Sequence, residues 1–249
     1  MLRGSIAALC ALLLMVSSSA VAAEDTAWEI APSPNAHATQ HNFLNDIACV
    51  DQSDCWSVGY YRAATAYQPV MQHWDGGAWS LEAPPDSSTT RDDYVQGLAC
   101  ATSSQCWSVG FSWSRTASAY QTLIQRWDGS AWSDVAPESP GIASNTYLLD
   151  VTCQSTSQCW AVGYQQIGLL GGGFGPNQTL IKHWDGESWQ TIASPNTLPT
   201  QGNMLTSVTC VEPSDCWAVG SYSAGSANQS LALPGTGPRG TSSSHPTPA

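Results

Sequence analysis

The stretch Cys49-Val50-Asp51-Gln52-Ser53-Asp54-Cys55-Trp56-Ser57-Val58-Gly59 reads Cys-x5-Cys-Trp-Ser-Val-Gly. It returns at Cys100/Cys106/Trp107, Cys153/Cys159/Trp160 and Cys210/Cys216/Trp217. A second signature follows the first three copies: Trp74-Asp75-Gly76 with Trp79, Trp127-Asp128-Gly129 with Trp132, and Trp184-Asp185-Gly186 with Trp189. The chain is a repeat array. Spacings of 51, 53 and 57 residues between the first cysteines of successive copies exceed those of most helical solenoids and fall in the range of propeller blades.

Each period holds four short strands. The first covers Asn45 to Cys49, with equivalents Gly97 to Cys100, Asp150 to Cys153 and Ser207 to Cys210; the second begins at Cys55. The third runs Pro69 to Trp74, Thr122 to Trp127 and Thr179 to Trp184, and the fourth starts at the next Trp and stops at a Pro. Aromatic and β-branched residues with Gly, Pro, Asn and Asp between segments favour strands over helices. The third strand places Leu123 and Trp127 on one face and Ile124 on the other. A strand apolar on both faces belongs to a sheet packed between two others, as in a propeller blade.

The Asp-Gly pair sits where the third strand reverses into the fourth. Gly supplies the positive φ and Asp accepts nearby backbone N–H groups. Asp75, Asp128 and Asp185 therefore read first as turn residues, with calcium or sugar ligation as the alternative. His73 and His183 precede this turn, but Arg126 holds the equivalent position. Chemistry requiring imidazole would not accept Arg there, so the column reads as an amphipathic strand end.

The expected fold is an all-β, propeller-like array of four-stranded antiparallel blades, three complete and one partial. The blades lie at about 45–84, 97–137, 149–195 and 205–222. Residues 26–35, with Trp28 leading to Ser33-Pro34-Asn35, match Trp189 to Asn196 and are expected to act as a closing fourth strand. The segment 223–249 starts like Asn177-Gln178-Thr179-Leu180 at Asn228, then becomes Gly/Pro/Ser-rich and is expected to be disordered. Codons can be chosen for Pro234 onward that, with one base restored, read His-Trp-Asp-Gly-Thr-Ser-Trp and then Ser-Pro-Asn. The tail is thus expected to be a frameshifted fourth blade.

Residues 1–23 read as an export signal: Arg3, an apolar run from Ile6 to Val16, and small residues ending at Ala23. That run is shorter than the roughly 20 residues a spanning helix needs, and no membrane anchor is expected. Seven basic and nineteen acidic residues give a net charge of −12, and loss of Arg3 with the signal makes it −13. Such a surface repels phosphate backbones, so nucleic acid is not an expected partner. Eight cysteines in the exported part form four local pairs, Cys49/Cys55, Cys100/Cys106, Cys153/Cys159 and Cys210/Cys216. In an oxidising compartment the simplest connectivity joins each pair within its repeat. Metal ligation is the competing reading, but no His or third Cys recurs near the pairs and zinc pairs are more tightly spaced. A secreted, disulfide-bonded protein with no metal and no cofactor is the expectation.

On these two signatures the chain resembles β-propeller repeat proteins, most of all secreted bacterial repeats of the Cys-Trp-Ala-Val-Gly and His-Trp-Asp-Gly-x-x-Trp type. The resemblance covers about residues 26 to 222. The Trp-Asp pair ending a third strand is similar to WD-repeats, without their Gly-His element, and kelch repeats are a more distant likeness. Asp, Gly and Trp at the strand three to four turn are similar to the Asp-box of sialidases, though Asp and Trp stand four apart here rather than five. Fold does not imply function.

Within the chain the five-residue loop between cysteines and the Asp-Gly-x-x turn are constant, whereas the second-to-third and fourth-to-first connections vary. The variable sets share one face of a propeller, and specificity resides on loops. Candidate binding residues there are Tyr61, Arg62, Arg91, Asp92, Asp93, Tyr94, Trp113 and Arg115. No catalytic residue is assigned. Asp92 and Asp93 are adjacent, a poor arrangement for the opposed carboxyls of a glycosidase, and a sialidase-like site wants more clustered Arg. Asn177 and Asn228 head Asn-x-Ser/Thr triplets, of consequence in a glycosylating host. The expectation is a secreted non-enzymatic binding protein with an extracellular glycan or protein partner. The alternatives are an extracellular carbohydrate-active enzyme of glycoside hydrolase or lyase type, or a truncated, non-functional product.

Overall fold

Four antiparallel sheets follow one another along the chain in the computed structural model, which describes residues 28–85, 91–136, 144–169 and 173–235. Blade 1 comprises β1 (Asn42–Asp51), β2 (Asp54–Arg62), β3 (Tyr67–Trp74) and β4 (Trp79–Glu82); blade 2 comprises β5 (Asp93–Thr102), β6 (Gln105–Ser114), β7 (Ala119–Trp127) and β8 (Trp132–Asp134). Blade 3 comprises β9 (Ser144–Ser155), β10 (Gln158–Ile167), β11 (Gln178–Trp184) and β12 (Trp189–Ile192). Blade 4 holds β13 (Asn203–Glu212), β14 (Asp215–Ala224) and β15 (Ala227–Gly235). Each strand pairs with its sequence neighbour, giving three four-stranded meanders and one three-stranded meander. The chain falls into two units, Met1–Ala31 and Pro32–Ala249. Of the first unit only 28–31 are described, as an exposed stretch outside any strand, and the expected export signal lies outside the described residues.

Blades stack through apolar faces. Trp56, Val58 and Met71 of blade 1 pack with Val95, Leu98, Leu123 and Trp132 of blade 2. Trp107, Val109 and Ile124 of blade 2 pack with Leu148, Val151, Trp184 and Trp189 of blade 3. Leu123 and Ile124 thus enter two different cores, which is why β7 is apolar on both faces. Val162 of blade 3 meets Leu205, Val208 and Ala218 of blade 4 in a smaller third core.

The signature residues each have a mechanical role. Cys49 pairs with Cys55 directly across the ladder, and Cys100 with Cys106, Cys153 with Cys159 and Cys210 with Cys216 repeat the arrangement, forming four disulfides. The Gly of Val-Gly lies opposite a bulge in the first strand: between Val95 and Gly97 the register shifts, and a Cβ on Gly110 would run into the Tyr94 carbonyl oxygen. Asp75 Oδ1 accepts the N–H groups of Gly77 and Ala78, Asp128 those of Ser130 and Ala131, and Asp185 those of Glu187 and Ser188. At Asp128 the Ser130 hydroxyl also donates and is the strongest cause, and together these bonds hold the three carboxyls below the ordinary Asp range. The adjoining glycines have φ of 90°, 96° and 104°, the left-handed region that turn glycines serve. The column His73, Arg126, His183 faces the repeat Trp across the ladder. His73 stacks on Trp56 at 4.4 Å, His183 on Trp160 at 4.1 Å, and the Arg126 guanidinium lies 5.7 Å from the Trp107 ring. Imidazole and guanidinium both suit an indole face, so one column accepts both.

Two sequence expectations require correction. First strands begin earlier than expected, because the residues before the bulge also pair: Phe43 with Tyr60, Tyr94 with Phe111 and Tyr147 with Tyr164. The expected end of the fourth repeat at 222 falls inside β14, and 227–235 form a strand rather than a disordered tail, because alternating Leu231 and Leu233 pack on the third core. In the β14–β15 register Pro234 faces Trp217 and Gly235 faces Cys216. They occupy the columns that hold His73 and Trp74 in blade 1. Residues 236–249 lie outside the described residues.

The cysteines pair as expected, each bridge within its own repeat. Two of them do more than link a hairpin: Cys106 and Cys159 are completely buried and belong to the cores between blades. Cys106 packs with the blade 1 residues Trp56 and Val58, and Cys159 with the blade 2 residues Trp107 and Val109. The reason is that each opens the second strand of a blade whose face is covered by the blade before it. Half of each of these two bridges therefore acts as a small apolar core residue as well as a link, and neither sulfur is presented to a ligand.

Candidate functional site

Successive side chains of a strand alternate between faces, so the residue after each Val-Gly and its partner before the bulge share one side of their sheet. In blades 1 to 3 these pairs are aromatic. Phe43 and Tyr60 approach to 5.1 Å, Tyr94 and Phe111 to 4.9 Å, and Tyr147 and Tyr164 to 4.6 Å between ring centroids. Rings also bridge adjacent blades, Tyr60 to Tyr94 at 5.1 Å and Phe111 to Tyr147 at 4.9 Å. Tyr67 and Tyr120, at the starts of their third strands, fill in behind at 5.0 Å from Tyr94 and 5.5 Å from Phe111. The result is a continuous aromatic belt over three blades, ending at Met204 and Ser221 in blade 4. Burial raises the phenols of Tyr94, Tyr120 and Tyr164, and pushes Tyr147 up to about 12. At neutral pH these hydroxyls remain neutral donors and acceptors.

The belt lies at the strand ends that carry the variable connections, and the candidate residues distribute around it. Tyr94 is a central ring, and the Arg62 guanidinium sits 4.8 Å over the Tyr67 ring. Tyr61, Arg62 and Trp113 were expected in loops but stand on strands, because the ladders continue through Tyr61–Gln68, Arg62–Tyr67 and Trp113–Tyr120. Tyr61 alternates to the opposite face from Tyr60 and Arg62. Asp92 Oδ1 accepts the Tyr67 N–H at 2.8 Å, and Asn145 Oδ1 does the same for Tyr120 at 2.9 Å. An amide replaces the carboxylate one blade later, so this position ties the connection to the preceding third strand. Asp93 is 1% exposed and is held by a two-pronged bond from Arg91, with Nε to Oδ1 at 2.8 Å and Nη2 to Oδ2 at 3.0 Å. Burial nevertheless raises its carboxyl above the ordinary Asp range.

Arg91, Trp113 and Arg115 come together. With Asp134, Gln121 and Thr122 they line a cavity of about 430 Å3 whose floor includes Leu123 and Ile124. Arg91 Nη2 lies 3.8 Å from Asp134 Oδ2, and Trp113 contacts Tyr120 edge-on at 5.1 Å, joining the cavity to the belt. Asp134 and the belt rings Tyr60, Tyr67, Phe111, Tyr120, Tyr147 and Tyr164 were not among the sequence candidates. Their signal was the aromatic residue following Val-Gly in blades 1 to 3, which reads as packing until the cross-strand partner is known.

No protein-family model matches the chain, and no curated protein matches it. Among solved structures it is similar to YCF48 bound to D1 peptide, with a TM-score of 0.44, 13% identity and 83% of this chain covered. The chain spans 61% of that protein. It is also similar to a fucose lectin from Kordia zhangzhouensis in complex with methyl-fucoside, with a TM-score of 0.38, 13% identity, 61% of this chain and 100% of that one. A third similarity is to a glycoside hydrolase, with a TM-score of 0.41, 8% identity, 82% of this chain and 73% of that one.

Proposed function

We propose that this is a secreted binding protein that takes a glycan in the cavity beside Trp113. The observation that carries the reading is the junction of an aromatic belt with a cavity of about 430 Å3 lined by Arg91, Arg115, Asp134 and Gln121. That volume suits a small ligand, and pockets of roughly 300–1,000 Å3 are typical. Aromatic faces stack against the C–H face of a sugar ring, and charged and amide groups bond its hydroxyls. Asp92 and Asp93, the carboxylates a hydrolytic reading would use, are engaged with the Tyr67 N–H and with Arg91. Four disulfides fit an extracellular setting, and among the described residues no helix is long and apolar enough to cross a membrane. A protein partner is the second reading, favoured by the extent of the belt over three blades.

A glycan array probed with the wild type, Trp113→Ala and Arg115→Ala tests the proposal. Trp113→Ala is expected to weaken binding about tenfold or more, the scale of one aromatic anchor at roughly 1.4 kcal/mol. Arg115→Ala is expected to change which glycans bind. Glycan binding unchanged in both variants, or no glycan bound by the wild type, would overturn the reading.

A further inference from the structure

Among the described residues blade 4 holds three strands, and none takes the place of a fourth. In the complete blades the fourth strand pairs outside the third, Trp74 with Trp79, Trp127 with Trp132 and Trp184 with Trp189. In blades 2 and 3 the pair covers the repeat Trp of the preceding blade: Trp127 and Trp132 lie 4.6 and 5.3 Å from Trp56, and Trp184 and Trp189 lie 4.6 and 5.2 Å from Trp107. Among the described residues no such pair covers Trp160. Gly235 stands in the third-strand Trp column, and among the described residues no strand pairs with the outer edge of β15. What remains is an apolar groove of about 360 Å3 lined by Trp160, Ile181, Val208 and Leu233.

The array is also open at both ends. Leu44 and Ile47 of blade 1 are 47% and 57% exposed, whereas their equivalents Val95 and Leu98 are buried against blade 1. Trp217 and Val219 of blade 4 are 43% and 46% exposed, whereas Trp107 and Val109 are buried against blade 3. One end has the surface that receives a preceding blade, and the other the surface that receives a following blade.

The chain carries a matching strand. Trp28 to Asn35 aligns without a gap with Trp189 to Asn196, sharing the Trp and Ser-Pro-Asn, and Trp28 and Ile30 are fully exposed. The residues after it are already folded as the connection that follows a fourth strand. Asn42 Nδ2 donates to the Gln40 carbonyl as Asn203 Nδ2 does to Gln201, and the Arg62 N–H bonds the His41 carbonyl as Ser223 bonds Gly202.

We infer that two copies of this chain join head to tail, Trp28–Asn35 of each supplying the missing fourth strand of the other's blade 4. Trp28 then fills the groove at Trp160, and Leu44 and Ile47 cover Trp217 and Val219. Strand addition pairs the outer edge of β15, which no described strand covers. Two joints close eight blades into a ring, within the 4–8 typical of propellers, and a closed ring avoids the open polymer that head-to-tail contacts otherwise build.

Light scattering behind size exclusion tests this on the intact exported chain, with the expected mass twice that of the monomer. Trp28→Ala weakens the pair at least tenfold, and Ile47→Asp and Trp217→Asp each give monomers. An equimolar mixture of the last two regains a 1:1 pair, since one head and one tail remain intact; circular dichroism verifies that each variant is folded. A monomeric wild type, an open ladder of larger species, a pair indifferent to Ile47→Asp, or variants that fail to complement would overturn the inference.

Discussion

Removing the Trp107 indole tests whether the interfaces between blades act as separate joints. Trp107 is fully buried and touches Trp184 at 4.6 Å, Trp189 at 5.2 Å and the Arg126 guanidinium at 5.7 Å. Truncating a buried Trp to Ala costs about 3–5 kcal/mol, of which each aromatic pair accounts for about 0.5–1.5 kcal/mol. Against a domain stability of roughly 5–15 kcal/mol, the loss is visible as a large fall in urea midpoint by far-ultraviolet circular dichroism. Trp56 lies in a different core, with blade 1 on one side and blade 2 on the other. Repeat arrays behave as sums of units and nearest-neighbour terms, so Trp56→Ala and Trp107→Ala should add to within about 0.5 kcal/mol in the double variant. A Trp107→Ala cost under about 1 kcal/mol, or a coupling well above 1 kcal/mol, would refute the picture of independent joints.

Two further outcomes follow from the signatures. Gly110→Ala places a methyl against the Tyr94 carbonyl and is expected to cost about 1–3 kcal/mol in urea melts, whereas Gly77→Ala, with only Asp75 Oδ1 near at 3.5 Å, should stay within about 0.5 kcal/mol. The carboxyls of Asp75, Asp128 and Asp185 are lowered by turn hydrogen bonds, so their contribution is present above the unfolded value near 3.9 and is lost as pH falls through the folded value. Burial raises Asp46 and Asp93, and their contribution has the opposite sign, being lost as pH rises through the raised value. Thermal melts of the triple Asn variant at the three turns should show a flatter acid limb than the wild type; identical limbs would contradict the assignment.

The architecture was legible because its determinants are local and repeated. Cysteines at fixed spacing, Asp-Gly turns and a two-faced third strand each report on neighbours within a few residues, and the four sheets follow from them. That Cys106 and Cys159 also serve the cores between blades was not legible, since spacing names a partner across a hairpin and says nothing of the sheet stacked on it. The aromatic belt was hidden too, because Tyr94 and Phe111 become a pair only through a bulged register that sequence spacing does not reveal. Asp92 and Asp93 are adjacent candidates in the sequence, yet one ties a connection and the other is buried beneath Arg91. Arg91, Trp113 and Arg115 are legible as variable-loop candidates, but that they share a cavity depends on how the connection before β5 meets the β6–β7 hairpin.

The placement of the disulfides has a consequence for how the chain reaches its fold. Eight cysteines allow 105 connectivities, and each observed bridge joins partners six residues apart at the closed end of one hairpin. A hairpin needs no other blade to bring its thiols together, and short loops close fastest. Oxidation can then proceed in chain order, each blade sealing its first two strands without waiting for the next. Correct pairing becomes a matter of timing along the chain rather than a search among finished alternatives.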